Sequence, residues 1–336
     1  MSAPFPPRKG EAVKRVHEFS NLAIAMVFFT SAADAAVSQQ ARALIDHLTG
    51  GKGTYAADDG VYRVTFPREG ATIAQGYQNL SPNLGLNSWS AFTSAIHHEA
   101  ILTGQFLLLE DEVNPVITVA LDAGLDVTGL AASSVFEGPR LQTLDVTGTG
   151  TFQGLASAFR KGLDEIRRVR RTANPRLTKV VIPAVPLESA IDAGPLDAIL
   201  SMRGVVIGGV YKAAIGSRAI LHGEVIGREM GMSTWVSFAG TNDRALASGE
   251  FVETPDGLKV LLRALRAKGV NIVSIRNHTL GEHPQFVFVR FWGQDSALEL
   301  AKRFRYVLDA QVAAMAPGSR EKIRHVTGGS AGFSAL

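Results

Sequence analysis

The run Arg276-Asn277-His278-Thr279-Leu280-Gly281-Glu282-His283-Pro284 holds two imidazoles, a carboxylate, an amide and a guanidinium at the end of an apolar stretch. Neutral imidazole nitrogen and carboxylate oxygen are ligands for zinc or another divalent first-row metal, and a metal held there would offer a bound water as the reactive group. The plainer reading is a polar turn whose histidines only hydrogen-bond. Ile96-His97-His98-Glu99 is a second source of imidazole. Adjacent strand residues point to opposite faces, so at most one of that pair can line a common site. The metal candidates are therefore His278, Glu282, His283, His97 and His98, with zinc as the possible cofactor, and no catalytic residue is assigned.

Other chemistry-like patterns are weaker. Gly328-Gly329-Ser330-Ala331-Gly332 spells a nucleophile elbow but sits in a Gly/Ser-rich tail with no strand before it. Gly148-Thr149-Gly150 with Gly154 misses dinucleotide spacing by one residue. Glu110-Asp111-Glu112 reads as acids at the positive end of a helix. Arg167, Arg168, Arg170 and Arg171 read as a solvated helix end, because no aromatic residues interleave them.

The positioning elements emerge from an internal repeat. At an offset of 145 residues Gly104-Gln105-Phe106 meets Gly249-Glu250-Phe251, and the register continues without a gap through Gly124 and Gly269, Glu137 and Glu282, Pro139 and Pro284, Gly148 and Gly293, and Phe159 and Phe304. Upstream, Gly85-Leu86-Asn87-Ser88-Trp89 pairs with Gly231-Met232-Ser233-Thr234-Trp235 after small indels. Apolar spacing predicts helices over 112–123 and 258–268, closed by Gly124 and Gly269 as left-handed caps. Strands follow at 125–130, 270–275 and 285–292, then an amphipathic helix on Phe152, Leu155 and Phe159, mirrored by Ala297, Leu300 and Phe304. The expected class is α+β: two tandem repeats, each a mostly antiparallel sheet with two helices packed on one face. The expected boundaries are repeat 1 at 55–170, a Pro-marked linker at 171–201, repeat 2 at 202–312 and a flexible tail at 313–336.

The chain has 336 residues, 46% hydrophobic and 19% charged, which supports folded domains rather than disorder. A net charge of +3 implies no nucleic-acid partner. The lack of cysteine removes disulfides, thiolate metal sites and thiol nucleophiles. Residues 1–36 run from Arg8, Lys9, Lys14 and Arg15 through apolar Leu22–Phe29 to Ala33-Asp34-Ala35, the order of a cleaved secretory signal. The expectation is a periplasmic or secreted protein with no membrane span in the mature chain.

The segments Gly85-Leu86-Asn87-Ser88-Trp89-Ser90-Ala91-Phe92, Leu108-Leu109-Glu110-Asp111-Glu112-Val113-Asn114-Pro115-Val116, and Asn277-His278 through Phe291-Trp292-Gly293 resemble the LppY/LpqO family, also known as DUF1259. The resemblance runs from about Tyr55 to Ala310. It implies an exported bacterial protein with one or two copies of the module, and no established reaction. The family pattern resembles His-Asn-His-Met followed by a second-strand histidine. Here Asn277 and His278 remain, but Arg276 and Arg290 stand at the other histidine positions; copy one has Ala131-Ala132-Ser133 and Asp145.

Two guanidiniums beside His278 can grip a carboxylate or phosphate through paired hydrogen bonds, with Glu282 neutralising one of them. The ligand-binding candidates are Arg276, Asn277, His278, Arg290 and Trp292, for a small anionic or sugar-like molecule. The alternatives are a metal-dependent enzyme using His278, Glu282 and His283, and a non-catalytic protein of the cell envelope.

Overall fold

The computed structural model describes residues 36–68, 74–75, 78–79, 87–133, 137–172, 184–186 and 188–314. The signal-like segment, the Ser330 elbow and most of the tail lie outside them. In chain order the elements are α1 (Gln39–Thr49), β1 (Gly53–Ala56), β2 (Val61–Pro67), β3 (Ala74–Gln75), β4 (Gln78–Asn79), β5 (Asn87–Ser94), β6 (Ala100–Leu109), α2 (Glu110–Asp122), β7 (Asp126–Ala132), β8 (Glu137–Gly138), β9 (Leu141–Gly150) and α3 (Phe152–Thr172). There follow α4 (Ala193–Leu200), β10 (Val205–Ile207), β11 (Val210–Gly216), β12 (Ala219–Leu221), β13 (Glu224–Ile226), β14 (Ser233–Gly240), β15 (Ala245–Glu253), α5 (Pro255–Ala267), β16 (Asn271–Arg276), β17 (Val287–Asp295) and α6 (Ala297–Ala314).

Twelve of the strands form one antiparallel sheet in the order β1-β2-β5-β6-β9-β7-β16-β17-β15-β14-β11-β10. The fold is thus mixed helix and strand around a large antiparallel sheet. Read inward from either edge, corresponding strands follow in the same order, and they meet where Leu130 of β7 pairs with Ile275 of β16.

Local sequence explains the main helices. Thr254 caps α5 by accepting the Gly257 amide, and Pro255 occupies the first turn, where no amide is needed. Leu258, Leu261, Leu262 and Leu265 then fall on one buried stripe. Gly124 and Gly269 end the paired helices with φ of 94° and 67°. The helices bury alternate strand residues. Phe106 stacks on Phe159 of α3 at 4.3 Å, and Phe251 on Phe304 of α6 at 4.8 Å. Each such buried ring contributes about 1.5–3 kcal/mol through lost apolar hydration.

The segment expected as a linker contains α4, and α1 lies upstream of the expected first-repeat start. Asp192 caps α4 by accepting the Gly194 amide, and Pro195 lies in the first turn, so a proline read as linker punctuation helps begin a helix. Both short helices are tied to the sheet in one way. Asp46 of α1 accepts from Tyr62 and the Gly53 amide, while Asp197 of α4 accepts from Tyr211 and the Gly204 amide.

The central seam is held by polar groups. Both β7 and β16 carry a bulge, between Val127 and Gly129 and between Ile272 and Ser274, which leaves backbone groups without ladder partners. Asn114 of α2 accepts the Ile272 amide at 2.8 Å and donates to the Ile272 carbonyl at 3.3 Å. Arg266 of α5 reaches Asn114, Thr118 and the Val270 carbonyl. Arg263 and Lys259 donate to the Leu121 and Gly124 carbonyls at the end of α2, where cations favour the helix dipole.

The acidic triplet at the start of α2 is more than a helix-end charge. Glu112 is fully buried, and its carboxylate takes two bonds from Arg68, at 2.6 and 2.7 Å, and one from the Leu109 amide. Arg170 of the basic run pairs with both Asp111 and Glu112. Arg167 and Arg168 pair with Asp164 and Glu165 on their own helix.

Candidate functional site

Strand alternation sends the side chains that are not under the helices to the opposite face of the sheet. In the second half this face has a readable register. One row crosses β14, β15, β17 and β16 as Trp235, Glu250, Arg290 and Ser274. The neighbouring row crosses β11, β14, β15, β17 and β16 as Lys212, Ser237, Ser248, Trp292 and Asn271. Lys212 and Arg290 are exposed, while Trp235, Ser237, Ser248 and Trp292 are partly covered.

The charges in these rows have different fates. Arg276 donates to Glu250 at 2.7 Å and lies 5.4 Å from the Phe288 ring centroid, so its charge is compensated. Arg290 and Lys212 approach Trp235 from different strands, each 5.1 Å from its ring centroid. Neither forms an ion pair among the described residues. A cation over an indole face is held by the ring quadrupole and keeps its N–H donors available. The two cationic heads therefore lie within twice that distance of one another. The Trp292 indole N–H has no acceptor among the described residues.

His278 sits beyond the end of β16 and shares a hydrogen bond of 3.2 Å between Nε2 and the Met230 carbonyl. Its ring lies 5.0 Å from Phe288. Gly231 makes this possible: its φ is 87°, and a Cβ there would stand 2.6 Å from Nε2. His278 thus fastens the short turn Arg228–Met230 to the sheet. Met232, Val252, Phe286 and Phe288 pack with Ala219 and Ile226 of β12 and β13, so this hairpin forms a wall along one side of the open rows.

The sequence-marked turn is brought to this wall, but its groups do not converge. Glu282 is almost fully buried and accepts the Phe286 amide at 3.1 Å. Burial pushes its carboxyl up, but the Phe286 amide, its own amide, the Thr279 hydroxyl and neighbouring His283 together hold it below the usual carboxylate range. It neutralises neither expected arginine; Glu250, which lies on the open face beside Arg276, takes that role for it. His283 exchanges two backbone hydrogen bonds with Ile220 and leaves its side chain exposed. Asn277 is exposed, and its carbonyl accepts from Arg276 at 3.2 Å.

His97 and His98 lie exposed in the β5–β6 turn rather than on a strand. Strands β6 and β16 are three places apart in the sheet, about 14 Å at the usual spacing, which separates this turn from the β16 end. Among the described residues no group of three or more His, Asp or Glu is placed to hold a metal ion. Among them, too, no helix is long and apolar enough to cross a membrane.

Sequence reasoning picked out Arg276, His278, Arg290 and Trp292 but missed Lys212, Ser237, Ser248 and Glu250 as their neighbours, and saw Trp235 only as a repeat match. Period-two alternation within β14, β15 and β17 was the available signal, and only strand register joins residues so distant in sequence. The first half differs at the matching places. Its corresponding row reads Trp89, Gln105, Asp145 and Gly129, and Thr147 stands where the second half has Trp292. Gln105 donates to Asp145 at 2.8 Å. Arg63 covers Trp89 at 3.9 Å.

The chain is a mixed helix-and-strand protein built on a large antiparallel sheet. The chain belongs to the family described as Domain of Unknown Function (DUF1259), whose model matches residues 43–165 and 194–310. Comparison with curated proteins gives no match. Among solved structures, the trimeric bacterial microcompartment shell protein PduB is similar at 10% identity, with 77% of this chain and 90% of that chain covered and a TM-score of 0.20. EtuB from Clostridium kluyveri is similar at 11% identity, with 78% and 90% covered and a TM-score of 0.21.

Proposed function

We propose that this is an exported two-copy binding protein whose second copy holds a small anionic or sugar-like ligand on the open face of the sheet. The observation that carries the reading is the convergence of Lys212 and Arg290 on Trp235 without an ion-pair partner among the described residues. Two cations beside one aromatic ring, one from each side of β14, favour an anion with some ring or carbon surface. Glu250 orients Arg276 beside them, and His278 holds the wall that borders the rows. The first copy carries Asp145 in place of Arg290, which would repel an anion, so the copies share a scaffold and differ in use. The register of the repeat and the matching strand orders support the two-copy reading, with two longer helices on one face of each half. The basic, apolar and small-residue order of residues 1–36 supports export to the periplasm or the exterior.

The test is thermal unfolding of the purified protein against citrate, phosphate, acetate and simple sugars. A ligand bound only by the folded state raises the midpoint. The expected result is a rise with at least one of these compounds that is lost in the Lys212→Ala, Arg290→Ala double variant. No rise with any of them, in wild type at millimolar concentration, overturns the reading.

A further inference from the structure

We infer that the ligand is an acidic sugar, a pyranose bearing a carboxylate, with its ring against Trp292 and its carboxylate on Arg290, while Lys212, which reaches Trp235 from the other side of β14, adds positive charge. This rests on the ligand-binding reading above and narrows it to molecules with both features. The two tryptophans of the second-half face differ in a way that assigns them separate tasks. Trp235 carries two cations beside its ring, and so marks the place where negative charge is received. Trp292 carries none among the described residues, is partly exposed and stands two residues from Arg290 on the same face of β17, which makes it the candidate stacking ring.

Their spacing suits one sugar residue. Arg290 and Trp292 are two residues apart on β17 and point to the same face, about 7 Å between Cα atoms. A pyranose chair presents axial C–H groups with slight positive charge on one face, which complement the negative face of an indole. Its ring hydroxyls would then lie above Ser248, which pairs with Trp292, and above Asn271, which pairs with Trp292 from the other side. Ser237 extends the same polar row towards Lys212. A simple inorganic anion would use the cations but leave Trp292, Ser248 and Asn271 idle. A neutral sugar would use the latter and leave two cations uncompensated.

The first half provides an internal contrast. Thr147 at the position of Trp292 removes the plane, and Asp145 at the position of Arg290 reverses the charge. Both features change together in the half that would not bind.

The experiment titrates the full chain with D-glucuronate, D-glucose and acetate, read by intrinsic tryptophan fluorescence and by calorimetry. Glucuronate is expected to bind at least about tenfold tighter than either fragment, the gain from one charge-assisted hydrogen bond or one aromatic contact. Trp292→Ala should bring glucuronate to the affinity of acetate and leave acetate unchanged, while Trp292→Phe keeps the preference. Arg290→Ala should bring glucuronate to the affinity of glucose. If acetate binds and glucuronate binds no tighter, or if Trp292→Ala weakens acetate equally, the acidic-sugar assignment falls while anion binding stands. If glucose equals glucuronate, the carboxylate assignment falls. If none of the three compounds binds, the acidic-sugar assignment falls, and citrate and phosphate alone decide the broader reading.

Discussion

Tyr211 donates its phenolic hydrogen to Asp197 across 2.8 Å, and the same bond joins Tyr62 to Asp46 across 2.6 Å in the other half of the sheet. Burial, reinforced by the aspartate, pushes the Tyr62 hydroxyl up to about 12, and burial with Asp197 raises Tyr211 as well. A raised phenol means that folding favours the protonated form. Its contribution is complete below the ordinary tyrosine value near 10 and is lost as pH rises through the folded value. Urea midpoints should therefore fall with pH above about 10. The Tyr62→Phe, Tyr211→Phe double variant should show a flatter alkaline limb, and each single change should cost about 1 kcal/mol at neutral pH.

Glu112 should be the most sensitive carboxylate for stability. Its replacement by glutamine leaves the nearly buried Arg68 without a charge partner. Removing one member of a buried pair typically costs about 3–5 kcal/mol, against under about 1 kcal/mol for an exposed pair such as Lys302 with Glu299. Chemical unfolding of Glu112→Gln beside Glu299→Gln measures the contrast.

Asn114→Ala should loosen the seam. It removes both bonds to the Ile272 backbone beside the β16 bulge, and it strips one acceptor from Arg266. A loss of about 1–3 kcal/mol is expected. Hydrogen exchange should accelerate at Ile272 before it does in β14 or β15.

For Glu282 the sign is opposite to that of the tyrosines. Its carboxyl is held low in the fold, so its contribution is present above the ordinary glutamate value and disappears as pH falls through the folded value. Glu282→Gln should lower the thermal midpoint at pH 7 and shrink the difference from wild type in acid. A constant difference from pH 7 to pH 3 would contradict this account.

The helices α2, α3, α5 and α6 were legible because their apolar stripes act locally, as do the glycines that close α2 and α5. The β16–β17 connection was legible for the same reason, since its His, Pro and Gly cluster within one turn. The short helix α4 was not, because prolines that serve its first turn look like those of a linker. The candidate site was half legible. Arg290 and Trp292 stand on one strand, but Lys212 and Trp235 reach them only through the register of three strand pairings, which no single-segment pattern encodes. His97 and His98 failed to join His278 for a related reason: the strand order places β9 and β7 between β6 and β16.

The meeting of β7 and β16 has a further consequence. In either half taken alone, one of these strands would be an outer strand with unpaired amides and carbonyls, and the bulge of β16 would lose Asn114, which bonds the Ile272 backbone from across the seam. Severing the chain between α3 and α4 should thus give fragments that associate through those groups, with each other or with themselves. Kept in one chain, the two strands cover each other where Leu130 meets Ile275 instead of offering that edge to another copy.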